Sequence, residues 1–248
     1  DYNRDGKVDL FTTTFSDDYK TLYRNDGNAN FSDVTYQAGL GDPTVPFLAW
    51  GAGFLDFDND GLLDIFIANG HVYPEVDRQD WGTTWAERPQ LFRNLDGARF
   101  QEVPPASGSG LADVITARGA AFGDLFNDGH IDVVINNIDF TPSLLRNVVH
   151  NGNHWLALKL VGGPKSPRDA VGAKIFLTAG RLRQRADVFS GGSYSSSSDQ
   201  RVHFGLGSAT GVDRIEINWP SGLKQQIAVP RVDQIVTVEE GKPAREIK

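Results

Sequence analysis

A nine-residue acidic pattern occurs three times in this 248-residue chain, and it constrains the fold more than any other feature. The copies are Asp1-Tyr-Asn-Arg-Asp-Gly-Lys-Val-Asp9, Asp56-Phe-Asp-Asn-Asp-Gly-Leu-Leu-Asp64 and Asp124-Leu-Phe-Asn-Asp-Gly-His-Ile-Asp132. Each runs into an apolar, β-prone stretch: Leu10 to Phe15, Ile65 to Ala68 and Val133 to Ile135. A second shared element follows at a distance, as Leu22-Tyr-Arg-Asn25, Leu91-Phe-Arg-Asn94 and Leu144-Leu-Arg-Asn147. Upstream of the second and third loops lie Trp50-Gly-Ala-Gly-Phe54 and Arg118-Gly-Ala-Ala-Phe122, whose small residues suit closely packed strands. Each unit therefore reads strand, acidic loop, strand, turn, strand. The period is roughly 55 to 70 residues, in the range of propeller-type repeats.

The loop chemistry points to calcium. Calcium takes six to eight oxygens at about 2.3–2.6 Å in flexible geometry. Side chains at loop positions 1, 3 and 5 can converge, Gly at position 6 permits the sharp turn, position 7 offers a carbonyl and position 9 closes the site. Loop two supplies Asp56, Asp58, Asp60, the Leu62 carbonyl and Asp64; loop one supplies Asp1, Asn3, Asp5, the Lys7 carbonyl and Asp9. Loop three keeps Asp124, Asp128, the His130 carbonyl and Asp132, but Phe126 at position 3 has no side-chain oxygen. The expectation is Ca2+ at two sites, with a third weakened. An EF-hand needs flanking helices and a Glu at position 12, where this chain has Thr12, Ile67 and Ile135. Magnesium is disfavoured by its demand for rigid octahedral coordination. An ion-free acidic turn is the structural alternative, opposed in loop two by the mutual repulsion of its carboxylates.

Composition excludes several classes. A formal net charge of −8 argues against a nucleic-acid surface. No apolar run is long enough to span a membrane. Without Cys, disulfides and thiolate metal sites are ruled out. The chain also lacks Met and opens inside a motif, so further repeats are expected upstream. No nucleophile elbow is present, and His71, His130, His150, His154 and His203 have no paired-ligand spacing. No catalytic set is assigned.

The acidic loops and their Leu-x-Arg-Asn partners resemble FG-GAP/VCBS repeats of integrin-α-type β-propellers. That resemblance implies about three blades over residues 1–150, each with its calcium loop joining two strands. The C-terminal stretches Asn153-His-Trp-Leu156, Arg168 to Ala173, Val202-His-Phe-Gly-Leu-Gly207, Val212 to Ile215 and Trp219-Pro-Ser-Gly222 are similar to an ASPIC/UnbV domain, spanning residues 151–240 before a tail at 241–248. The pairing of the two is the arrangement of cartilage-acidic-protein-like proteins, a secreted group. Short β-branched runs at 155–160, 174–177, 214–219 and 235–238 independently predict a small β-sandwich there.

The expected fold is all-β, a partial β-propeller followed by a small β-sandwich-like domain. The expected role is a non-enzymatic calcium-binding adhesion or assembly protein, extracellular or at the cell surface, or in the periplasm. Its partner would be a protein or glycan, or a larger assembly of which the chain is a subunit. The competing class is a polysaccharide lyase or hydrolase whose active-site residues lie upstream. The insertion at 71–88 carries Tyr73, Trp81 and Trp85 as weak partner-binding candidates, with packing against a neighbouring blade as the alternative. The Ser193–Ser198 stretch is expected to form a flexible loop.

Overall fold

The computed structural model describes residues 1–105, 109–229 and 231–246. Their regular secondary structure is almost entirely β, with one four-residue α-helix, α1 (Gly41–Thr44). The acidic repeats form three separate antiparallel sheets. Unit one contains β1 (Leu10–Thr12), β2 (Thr21–Gly27) and β3 (Asn30–Asp33). Unit two contains β4 (Ala49–Leu55), β5 (Asp64–Asn69), β6 (Gln90–Asn94) and β7 (Phe100–Glu102), and unit three β8 (Ala117–Gly123), β9 (Asp132–Asn137) and β10 (Ser143–Leu145). None of the sheets closes on itself.

The apolar run after loop two explains how the units stack. Successive strand residues face opposite sides of a sheet, so a strand apolar at every position must be covered twice. In β5, Ile65 and Ile67 enter a core shared with Leu22 of unit one, while Phe66 and Ala68 enter a core shared with Val133 and Ile135 of unit three. Unit two is thus held between its neighbours. The contact between β4 and β8 depends on missing side chains: a Cβ on Gly51 would lie 2.5 Å from the Ala120 nitrogen, and one on Gly53 would enter the Phe122 ring.

The remainder forms two four-stranded sheets. Strands β11 (His154–Val161), β12 (Lys174–Ala179), β13 (Leu182–Asp187), β14 (Val202–Gly207), β15 (Arg214–Asn218), β16 (Lys224–Ile227), β17 (Gln234–Glu239) and β18 (Arg245–Glu246) pair in the orders β14-β11-β17-β18 and β13-β12-β15-β16. The β11–β17 pair is parallel and the others are antiparallel. Leu156 and Leu158 from one sheet and Ile175, Leu177, Ile215 and Ile217 from the other bury one common core with Phe204 and Trp219. Strand β18 lies within the stretch expected as a tail.

Two connecting segments differ from a simple loop description. The Ser-rich stretch docks on unit three: Asp199 N–H donates to the Phe122 carbonyl at 2.9 Å, Phe122 N–H donates to Ser198 Oγ at 3.2 Å, and the Tyr194 ring lies 4.8 Å from that of Trp50. The 71–88 insertion contains a 3-10 turn at Pro74–Arg78 with Val76 buried. Trp85 packs beside the Arg118 guanidinium at 5.5 Å, whereas Tyr73 and Trp81 are exposed. Among the described residues, no helix is long and apolar enough to cross a membrane.

Candidate metal centre

The three acidic loops share one hydrogen-bond scheme. The position-1 carboxylate accepts from the position-6 amide: Gly6 to Asp1 at 3.1 Å, Gly61 to Asp56 at 2.7 Å and Gly129 to Asp124 at 2.9 Å. The position-5 carboxylate accepts from position 7, at 2.8 Å in loops one and two and 3.2 Å in loop three. Position 9 accepts from position 2, at 3.1 Å in every copy. Its other oxygen accepts from the backbone of Asn25, Asn94 or Asn147 at 2.9, 2.7 and 2.9 Å. The Leu-x-Arg-Asn element therefore closes its own loop.

Each turn also uses the left-handed region twice. Position 6 has φ of 83°, 83° and 84°, where glycine avoids a steric cost. Position 4 has φ of 59°, 57° and 56° at Arg4, Asn59 and Asn127. That conformation aims the position-4 side chain outward, onto the next loop. Arg4 Nε donates to the Gly61 carbonyl at 2.8 Å, and Asn59 Nδ2 donates to the Gly129 carbonyl at 3.0 Å. In the opposite direction, Asn94 Nδ2 donates to the Tyr2 carbonyl at 3.0 Å and Asn147 Nδ2 to the Phe57 carbonyl at 2.7 Å. Position 4 and the motif asparagine thus stitch the loops into a row. Sequence reasoning missed both roles, although a recurrent Asn at one offset was the available signal.

Loop two alone gathers a close carboxylate group. Ligand atoms of Asp56, Asp58 and Asp64 lie within 4.8 Å of one another, and all three residues are buried. Among the described residues, no other three acidic or histidine side chains converge this closely. Asp58 is 6% exposed, and its Oδ1 is buried without a hydrogen-bond partner. Its Oδ2 meets Arg93 Nη2 at 2.7 Å, while Asp60 lies 3.5 Å from the same nitrogen. Burial, and then the Asp60 charge, push Asp56 well above and Asp58 above the usual carboxylate range. Burial pushes Asp64 up to about 9, with the Asp56 and Asp58 charges adding to it. Buried oxygens held this close while disfavouring their own ionisation form a donor set suited to a hard cation.

The other loops differ. In loop one, Asp5 is engaged by Lys7 Nζ at 2.9 Å and Asn3 Nδ2 at 3.2 Å, and the terminal amine lies 3.6 Å from Asp9. In loop three, Phe126 carries the Arg146 guanidinium 4.2 Å above its ring, and Arg146 pairs with Asp128 at 3.2 Å.

The C-terminal sheets cover this row of loops. Gly207 N–H donates to the Asn59 carbonyl at 2.8 Å, and His203 Nε2 lies 2.7 Å from Asn59 Oδ1. Asn151 and Asn153 donate to the Asp58 carbonyl at 2.5 and 2.9 Å. Arg185 reaches the Gly6 carbonyl at 2.8 Å, and Arg201 reaches Asn127 Oδ1 at 2.5 Å and the Asp124 carbonyl at 2.6 Å. A Cβ on Gly205 would strike Asp56 Oδ2, so this glycine lets β14 lie against loop two.

Two family models match parts of the chain. The model of the FG-GAP-like repeat matches residues 1–67, and that of ASPIC and UnbV matches residues 163–245. Cartilage acidic protein 1 of Xenopus tropicalis is 25% identical over 248 residues, covering 96% of this chain and 36% of that protein. The Homo sapiens and Mus musculus proteins of the same name are 25% and 24% identical over 251 residues, again covering 96% of this chain. The chain spans about a third of these relatives' lengths, at 35% and 36% for the human and mouse proteins. A solved structure from Bacteroides uniformis, a candidate cell adhesion protein, aligns over 98% of this chain and 99% of its own at 12% identity, but its TM-score of 0.22 carries no argument. The chain carries an FG-GAP-like repeat and an ASPIC and UnbV domain, and it is homologous to cartilage acidic protein 1.

Proposed function

We propose that this chain is a non-enzymatic extracellular binding or assembly module whose repeat loops are clipped by calcium. The observation that carries the reading is the buried Asp56, Asp58 and Asp64 group with its unpartnered Asp58 Oδ1. When bound, calcium would supply positive charge beyond that of Arg93 and hold Asp56 and Asp64 at the two ends of one turn. Asp58, Asp60 and the Leu62 carbonyl would complete the set. Loop one is proposed as a second site. Extracellular modules bind calcium at about 10⁻⁴–10⁻³ M, which suits a structural role outside the cell.

The three stacked sheets are proposed as consecutive blades of a propeller, with the C-terminal domain beginning near residues 148–153. Tyr73 and Trp81, exposed on the insertion, are proposed to contact a protein or glycan partner. Melting of the full chain tests the calcium role. Removing calcium with a chelator is expected to lower the melting temperature, and re-addition to restore it. Asp58→Asn should lose most of that calcium-dependent gain. Identical melting curves with calcium and with chelator would remove the structural role.

A further inference from the structure

The Leu-x-Arg-Asn element places an arginine at the same point of every unit, and the three arginines make different contacts. Arg24 pairs with Asp26 at 2.8 Å, away from loop one. Arg93 Nη2 lies 2.7 Å from Asp58 Oδ2 and 3.5 Å from Asp60 Oδ2, spanning positions 3 and 5 of loop two. Arg146 covers the same positions of loop three, 3.2 Å from Asp128 Oδ2 and 4.2 Å above the Phe126 ring. The loop that lacks a position-3 carboxylate thus offers an aromatic face to its guanidinium. Cation–π attraction and the Asp128 charge act together there.

We propose that Arg93 is the resident counter-cation of loop two, and that a divalent cation competes with its guanidinium for Asp58 and Asp60. The proposal rests on the calcium reading above. The Arg93 side chain is 47% exposed and can swing into solvent, whereas that of Asp58 is 7% exposed and stays in place. Two cations sharing one carboxylate repel each other, so each weakens the other's hold. The guanidinium also offsets part of the charge of Asp58 and Asp60 when no metal is present. In loop three the counter-cation at the same position also stacks on the Phe126 ring. In loop one, Asp26 keeps Arg24 occupied, and Lys7 Nζ, 2.9 Å from Asp5, stands where that arginine would.

Calorimetric titration of the full chain with calcium chloride tests this, paired with melting in chelator. Arg93→Gln is expected to bind calcium roughly ten- to thirtyfold more tightly at one site, the effect of removing one unit charge about 4–6 Å from a divalent ion in a water-like medium. The same variant should melt lower than wild type in chelator. Arg93→Lys keeps the charge and should retain affinity near that of wild type, and Arg24→Gln should change neither reading. Calcium binding by wild type, with unchanged or weaker affinity in Arg93→Gln, would overturn the competition and leave the calcium reading standing. Absence of binding in both proteins would overturn both.

Discussion

Asn94 shows how much one side chain can hold. It is fully buried, and its Nδ2 donates to the Tyr2 carbonyl of the preceding unit and to Leu63 of its own, both at 3.0 Å. Its Oδ1 accepts from Gly97 N–H at 2.8 Å, completing the turn after β6. Asn94→Ala should therefore strand buried carbonyls on two units. A loss of about 2–4 kcal/mol is expected in urea unfolding, from unsatisfied groups rather than lost volume. Asn25→Ala, whose Nδ2 makes one bond to the Val8 carbonyl at 2.9 Å, should cost less. The recurring Asn was plain in the sequence, but its partners were not. Ninety-two residues separate Asn94 from Tyr2, and no local pattern encodes that distance. The acidic positions were legible because a metal loop is contiguous. Arg93 as their neighbour was not, because a strand pairing brings it there.

Among the elements, β5 was the easiest to read. Four apolar residues in succession demand cover on both faces, and the two cores supply it. Strands β13, β14 and β16 are more polar or glycine-containing, with no clear alternation, and only the β14 motif stood out, through family resemblance. The Ser-rich stretch read as a flexible loop because composition cannot show which backbone will lie beside it. Gly119 leaves the room that Ser196 needs on β8. The close approach of β4 and β8 gives a test of stacking. Gly51→Ala would set a methyl 2.5 Å from the Ala120 nitrogen, against backbone that cannot rotate away. A cost of about 1–3 kcal/mol is expected, with the strands forced apart. Unchanged stability would mean that the units are not locked at this contact.

For the whole molecule, the electrostatics of loop two should govern how melting depends on pH. Asp64 has its folded-state value pushed up to about 9 from an ordinary 3.8, and Asp56 moves in the same direction. The folded, metal-free chain therefore keeps protons that the unfolded chain releases above about pH 4. This contribution to stability falls as pH rises from there towards about 9. A cation that binds the ionised carboxylates opposes the loss, so its benefit should grow across that window. The rise in melting temperature on adding calcium to metal-free protein is expected to be larger at pH 8 than at pH 5. Equal increments would show that these carboxylates do not carry the effect.

The stitching of the loops has a direction. The first and second turns each give a hydrogen bond forward through position 4, and the second and third receive it at position 6, as monomers do in a growing filament. Asn127 precedes no further acidic turn, and its Oδ1 accepts from Arg201, as Asn59 Oδ1 faces His203. The last turn is thus held by an arginine immediately before β14. The number of units could then change by whole repeats during evolution, provided that the last one still presents an asparagine to this arginine.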